Sequence, residues 1–199
     1  MLGKTHLAIG VAASMLILQP KSVGEVIMSI GMGGIGSLVS DIDVGTSESH
    51  HDADVVVGLT IGVLVLSIVS DYFWGTGILQ HVFYTDRKRF LMGFIAFIII
   101  CGIGKETAHR SFMHSILALL LLSISIWLIY PVFVPYFVVG FLSHIFIDCF
   151  NRTKVQILFP LPIGISLKMF HSHGIANNAF FMMGIVGCVI GILKYVFKM

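Results

Sequence analysis

About seven apolar stretches, each close to the length of a bilayer crossing, dominate this chain. They cover residues 5–19, 23–40, 55–73, 90–104, 113–130, 133–150 and 177–197. A helical crossing needs roughly 20 predominantly apolar residues, within a range of about 17–25. The first and fourth stretches fall short of that, which predicts tilted helices or helices shielded by their neighbours. The 199 residues are 57% hydrophobic and only 11% charged, whereas soluble domains are about a quarter charged. Mean hydropathy is +0.99. The expected fold is all-α: a polytopic membrane helical bundle of about seven membrane-embedded helices, forming one integral membrane domain over residues 1–199.

Chemistry marks the breaks between stretches. Gln19-Pro20-Lys21 parts the first two, and a polar run from Ser40 to Asp54 parts the second and third. Thr85-Asp-Arg-Lys-Arg89 precedes the fourth. Pro131 and Pro135 bracket the turn between the fifth and sixth, because proline is disfavoured inside a helix. A longer loop from Asn151 to about Gly174 carries Pro160 and Pro162. The second stretch holds Gly31, Gly33, Gly34 and Gly36, small residues that let helix backbones approach closely in a bilayer.

The net charge of +2 is small and its charges are scattered, which argues against nucleic-acid binding. Cys101, Cys149 and Cys188 lie singly in apolar runs, without metal-finger spacing or an even disulfide framework. The first residues lack a signal-peptide pattern, so the first stretch is read as a retained helix.

Against this background six ionisable residues stand out: His6, Asp41, His109, His114, His144 and Asp148. A charge at membrane depth is costly, and such residues mark functional sites. If each stretch crosses once, His6 begins the first crossing and Asp41 ends the second. His109 and His114 begin the fifth, and His144 and Asp148 end the sixth. All six then fall on one side of the membrane. Histidine and aspartate supply the nitrogen and oxygen donors of zinc, manganese or iron, so a metal site near one membrane face is expected.

His144 and Asp148, four apart, share one helix face, with Ser143 and Asn151 flanking it. They fit either ligation or a structural hydrogen bond. Arg110 lies beside His109; its planar fork suits a phosphate or carboxylate, and an arginine that reaches out to lipid headgroups is the alternative. Asp41 and Asp43 straddle one residue at a helix end, as a bridging ligand and its neighbour or as a solvated turn. His50, His51, Asp52 and Asp54 form a polar loop on the same side and read better as solvated. His171 and His173 are similarly ambiguous, and His81, Asp71 and Asp86 fall outside the site. Lysine and arginine number six on each side. The Arg87–Arg89 cluster at a helix end tips orientation towards a cytoplasmic C-terminus, with the site at the outer face.

These elements, in this order, resemble the YdjM-like family of membrane-bound metal-dependent hydrolases. The matching stretches are Thr5-His6 with Gly10, Gly36 to Asp43, His109-Arg110-Ser-Phe-Met-His114-Ser115, Gly140 to Asp148, and Ile157-Leu-Phe-Pro160. The pattern also looks related to zinc-dependent phospholipases C. The resemblance implies that His6, Asp41, His109, His114, His144 and Asp148 are metal ligands. It also implies that Arg110 holds a substrate phosphate and that Asp43 or Asp41 takes a proton from water. The cofactor expected is a divalent metal: zinc, with manganese or iron as alternatives, as two or three ions. The chain departs from the family pattern at Ser40, Val44 and Met113, where proline, histidine and threonine are common. Gly174-Ile-Ala-Asn-Asn178 stands where Gly, three residues and Glu are usual.

The expected function is hydrolysis of a lipid phosphoester by metal-activated water, in a protein of the bacterial cytoplasmic (inner) membrane whose partners are the bilayer and a lipid substrate. A zinc lipid amidase of the ceramidase kind is one alternative. The others are a metal transporter and a non-catalytic metal-binding membrane protein.

Overall fold

The structure is a computed structural model that describes residues 1–43, 58, 62, 65–77, 86–170 and 174–198. Among these residues it is helical, with isolated bridges but no strand. The helices are α1 (Gly3–Leu18), α2 (Val23–Leu38), α3 (Val65–Trp74), α4 (Arg87–Lys105), α5 (Ile116–Ile129), α6 (Val134–Cys149) and α7 (Ile175–Phe197). The loop with His50, His51, Asp52 and Asp54, together with His81, His171 and His173, lies outside the described residues.

Among the described residues, three segments are long and apolar enough to cross a membrane: Val23–Asp43, Pro131–Cys149 and Ile175–Phe197. α1, α3 and α5 are apolar but shorter. α4 has 19 residues, longer than its apolar stretch because Arg87, Lys88 and Arg89 form its first turn and Asp86 caps it. Ser22 caps α2 by accepting from Glu25 N at 3.2 Å, and Ser115 caps α5 through Ala118 N at 3.1 Å, each satisfying an orphan N–H.

α1, α2, α6 and α7 form one packed group, while α4 pairs with α5, which also touches α6. Small residues set the distances. A methyl on Gly140 of α6 would run into the Gly33 carbonyl of α2, and one on Gly36 would meet the Phe137 carbonyl. Along the α1–α7 contact, a methyl on Gly184, Gly187 or Gly191 would lie 2.8 Å from Ala8, Ala12 or Met15 in turn. Such close approach is how helices associate where no hydrophobic effect drives them. α7 buries only Asn177 and these three glycines, and its other face is apolar and exposed. The core between α2, α5 and α6 is filled by Val39, Phe112, Met113, Leu122, Phe137 and Phe141. Directly above it, where α1 starts and α2 and α6 end, the polar residues collect.

Candidate metal centre

α2 runs out through a 3-10 turn, Val39–Asp43, that buries both Asp41 and Asp43. A second 3-10 turn, Phe112–His114, precedes α5. His114 therefore sits just before its helix and not one turn into it, because Ser115 caps α5 after it. His6 faces inward from the first turns of α1, and His144 and Asp148 share the last turns of α6. His6, His114 and His144 are fully buried, and Asp148 is 1% exposed.

The six predicted residues come together. His144 Nδ1 is 2.7 Å from the Ser37 carbonyl oxygen. A carbonyl can only accept, so Nδ1 carries the proton and the Nε2 of a neutral ring presents a lone pair. That Nε2 is 3.1 Å from His114 Nε2 and 3.5 Å from Asp41 Oδ1, and His114 Nε2 is also 3.5 Å from Asp41 Oδ1. His6 stacks on His144 with ring centroids 3.9 Å apart. Its Nε2 is 3.3 Å from Asp148 Oδ1, yet neither His6 nitrogen makes a hydrogen bond, and neither does His114 Nδ1.

Three groups of donor atoms each gather within 4.8 Å: His6, His144 and Asp148; Asp41, His114 and His144; and Asp41, Asp43 and His109. His144 belongs to the first two and Asp41 to the last two. Donors around a tetrahedral zinc stand about 3.3–3.6 Å apart, close to the 3.1–3.5 Å spacing of Asp41, His114 and His144. Charge supports the same fit. Asp41, Asp43 and Asp148 are buried carboxylates, and Arg110 is the buried guanidinium among them. Buried charges need paired compensation; Arg110 and the Met1 amine supply part of it, and divalent ions at the histidine nitrogens would supply the rest.

Asp43 and Arg110 frame this centre. Asp43 Oδ1 is 2.8 Å from His109 Nδ1, and Oδ2 accepts from Arg110 N at 3.1 Å and lies 3.5 Å from His114 Nδ1. Arg110 holds a left-handed backbone with φ of 64°, a conformation that is uncommon for non-glycine residues. Its main chain is tied on both sides, since Gln156 N donates to its carbonyl at 2.9 Å. The guanidinium donates to His109 Nε2 at 3.3 Å, to the Thr153 carbonyl and hydroxyl, and to Asp148 Oδ2 at 3.0 Å.

The YdjM inner membrane protein family model matches residues 1–198. The chain belongs to that family. No curated protein and no solved structure matches it significantly. As a YdjM family member it is an inner-membrane protein, which agrees with its three segments able to cross a bilayer.

Several polar partners had no clear sequence signal. The Met1 amine is buried 3.2 Å from Asp148 Oδ1. Asn177, at the start of α7, accepts from Leu2 N at 3.1 Å and from Thr5 Oγ1 at 2.9 Å. Ser37 acts through its carbonyl, which no side-chain pattern reveals. Asn151, expected to flank the site, donates to Asp148 Oδ1 at 2.9 Å. Ser143 instead bonds its own helix at Gly140 O. Asn178, which stands at the usual glutamate position, is exposed, while its neighbour Asn177 is buried.

Proposed function

We propose that this YdjM family member is a metal-dependent hydrolase, with all seven helices embedded in the membrane and its centre at one face. The substrate class that fits best is a lipid phosphoester. The observation that carries the reading is the set of three donor groups joined through His144 and Asp41. In this reading His6, Asp41, His109, His114, His144 and Asp148 hold the metal, with zinc as first choice and manganese or iron as alternatives. A divalent ion held there supplies Lewis acidity and water that deprotonates near neutral pH. Asp41 is the carboxylate best placed to accept that proton, since Asp43 is engaged by His109, Arg110 and His114, and Asp148 by Arg110, Asn151 and the Met1 amine. Arg110 places positive charge beside the donors, where phosphoryl oxygens gain negative charge. A centre at headgroup level suits a lipid that enters sideways from the leaflet.

A lipid amide is the second reading. Arg110 spends most of its donors on His109, Thr153 and Asp148, which weakens the preference for phosphate over a carbonyl. A zinc site activates water against either centre.

Elemental mass spectrometry on detergent-purified protein tests the metal. Zinc, manganese or iron near an integral ratio is expected, lost in His144→Ala and Asp148→Ala and kept in His50→Ala/His51→Ala. Metal absent from the native chain, or lost only with the polar loop, sinks the proposal. Turnover of phospholipids against ceramides, by lipid mass spectrometry, then decides between the two substrate classes.

A further inference from the structure

The segment between α6 and α7 has no part in the donor groups, yet it is built in an unusual way. It is not helical, but part of its main chain is tied to the rest of the protein. Val155 and Ile165 exchange two bonds at 2.9 Å, and Gln156 N donates to Arg110 O. Leu167 N donates to Cys149 O at 2.8 Å, and Met169 N and Phe170 N both donate to Phe150 O. Phe159 N and Leu161 N close turns onto Gln156 O and Leu158 O. Pro160 and Pro162 have no N–H to satisfy. These bonds, with Ile116 N on Ile157 O, hold the segment against the end of α6 and the start of α5, at the edge of two apolar helices, and leave its other N–H groups for headgroups or water.

The side chains point the same way. From Ile163 to Leu167 alternate residues face outward, the period of an extended chain, and Met169 is exposed beyond the left-handed Lys168. Ile163, Ile165, Leu167 and Met169 are 57%, 45%, 55% and 56% exposed. Of the residues between them, Gly164 packs on the Lys154 side chain and Ser166 Oγ bonds Asn151 O, while Lys168 is exposed. Leu158 and Leu161, about half exposed, extend the patch. An exposed apolar area of this kind marks a membrane or partner contact. Arg152, Lys154 and Lys168 are exposed around it, and residues 149–170 contain no aspartate or glutamate.

We propose that residues 152–169 form an interfacial loop seated in an anionic phospholipid leaflet. Its apolar row enters the acyl boundary, and Arg152, Lys154 and Lys168 lie on the headgroup phosphates. A lipid surface is selected over a protein by position and by charge. The loop leaves the end of α6 and leads towards α7, both long and apolar enough to cross a membrane, so it lies at the membrane face. Its one-signed charge complements anionic headgroups. Arg110–Thr153 and Asn151–Asp148 bonds connect it to the donor cluster. The inference stands independently of metal binding or turnover.

The full chain, with Cys101→Ala, Cys149→Ala and Cys188→Ala, is reconstituted in vesicles of phosphatidylcholine and phosphatidylglycerol. A nitrobenzoxadiazole label is placed at Ile163→Cys or Leu167→Cys. Quenching by doxyl-labelled acyl chains and protection from aqueous iodide are expected, with doxyl-phosphatidylglycerol quenching more than doxyl-phosphatidylcholine. That headgroup preference is expected to vanish in Lys154→Gln/Lys168→Gln. Iodide quenching without doxyl quenching overturns the proposal, as does shielding from both, the result for a protein partner or second copy. Equal quenching by the two lipids overturns the anionic selection. Ile165→Trp with native cysteines, read with brominated lipids, gives the same decision if the labelled chain does not reconstitute.

Discussion

His144 and Ser37 join two closely packed helices of the site, α6 and α2: the imidazole Nδ1 lies 2.7 Å from the serine carbonyl oxygen. The contact depends on Gly140, one turn before His144, which lets α6 touch the Gly33 backbone of α2. A hydrogen-bonded Nδ1 fixes the ring and leaves Nε2 for a ligand role. Gly140→Ala adds a methyl where there is no room. Overpacking of this kind costs roughly 1–3 kcal/mol. We expect a lower melting temperature in detergent, by scanning calorimetry, together with reduced metal retention. Gly102→Ala, where a methyl meets nothing within 4 Å, is expected to leave metal retention unchanged. Equal metal content in both variants removes the link between helix spacing and the site.

Asp43 holds His109 Nδ1, Arg110 N and the Nδ1 side of His114 at once. Carboxylates placed behind metal-bound imidazoles orient them, and their loss typically weakens metal binding about 10–100-fold. Asp43→Asn keeps the shape but loses the charge and one acceptor. Metal affinity measured by competition with a chromophoric chelator is expected to fall within that range. Ion occupancy at saturating metal is expected to hold at the two donor groups that share His144, which do not include Asp43. Wild-type affinity in the variant argues that Asp43 does not orient these ligands.

Much of the centre was legible because membranes simplify the reading. Few ionisable residues are tolerated in apolar stretches, so His6, Asp41, His114, His144 and Asp148 stood out individually. Single crossings then placed them on one side, and the structure brings them within a few ångströms. The roles of Asp43 and Arg110 were less legible. Arg110 was read as holding a phosphate and Asp43 as a proton acceptor; their nearest partners in the structure are protein groups, including a main-chain N–H and the Thr153 carbonyl. Backbone partners leave no trace in residue types. The same holds for the loop after Asn151, whose outward apolar row shows only once the extended register of 163–167 is known.

The buried carboxylates give metal removal a definite sign. Without ions, Asp41 and Asp148 lie in the same cluster, both within 3.7 Å of His114 Nε2. Native protein treated with a chelator is expected to lose thermal stability, because ligand binding to the folded state stabilises it. Asp41→Asn removes one ligand and one negative charge. It is expected to lower stability in the presence of metal and to shrink the loss caused by the chelator. Calorimetry with and without chelator checks both signs. A chelator effect as large in Asp41→Asn as in the native chain would falsify the placement of ions at Asp41.

Asn177 and Asn178 separate two explanations for the missing glutamate. The Asn177 amide oxygen accepts from Leu2 N and Thr5 Oγ1 in a buried pocket. Thr5 precedes His6, so this bond fixes the start of α1 and the direction of the imidazole. Removing the acceptor leaves the buried Thr5 hydroxyl and the part-buried Leu2 N unpaired, at about 1–3 kcal/mol for a buried group. Asn177→Ala is therefore expected to lower the melting temperature and the retained metal together. Asn178 is exposed at the same end of α7. Asn178→Glu is expected to change neither quantity, because its side chain does not reach the donors from there. A gain of metal or turnover in Asn178→Glu means that this end of α7 rotates in the working protein and brings position 178 to the centre.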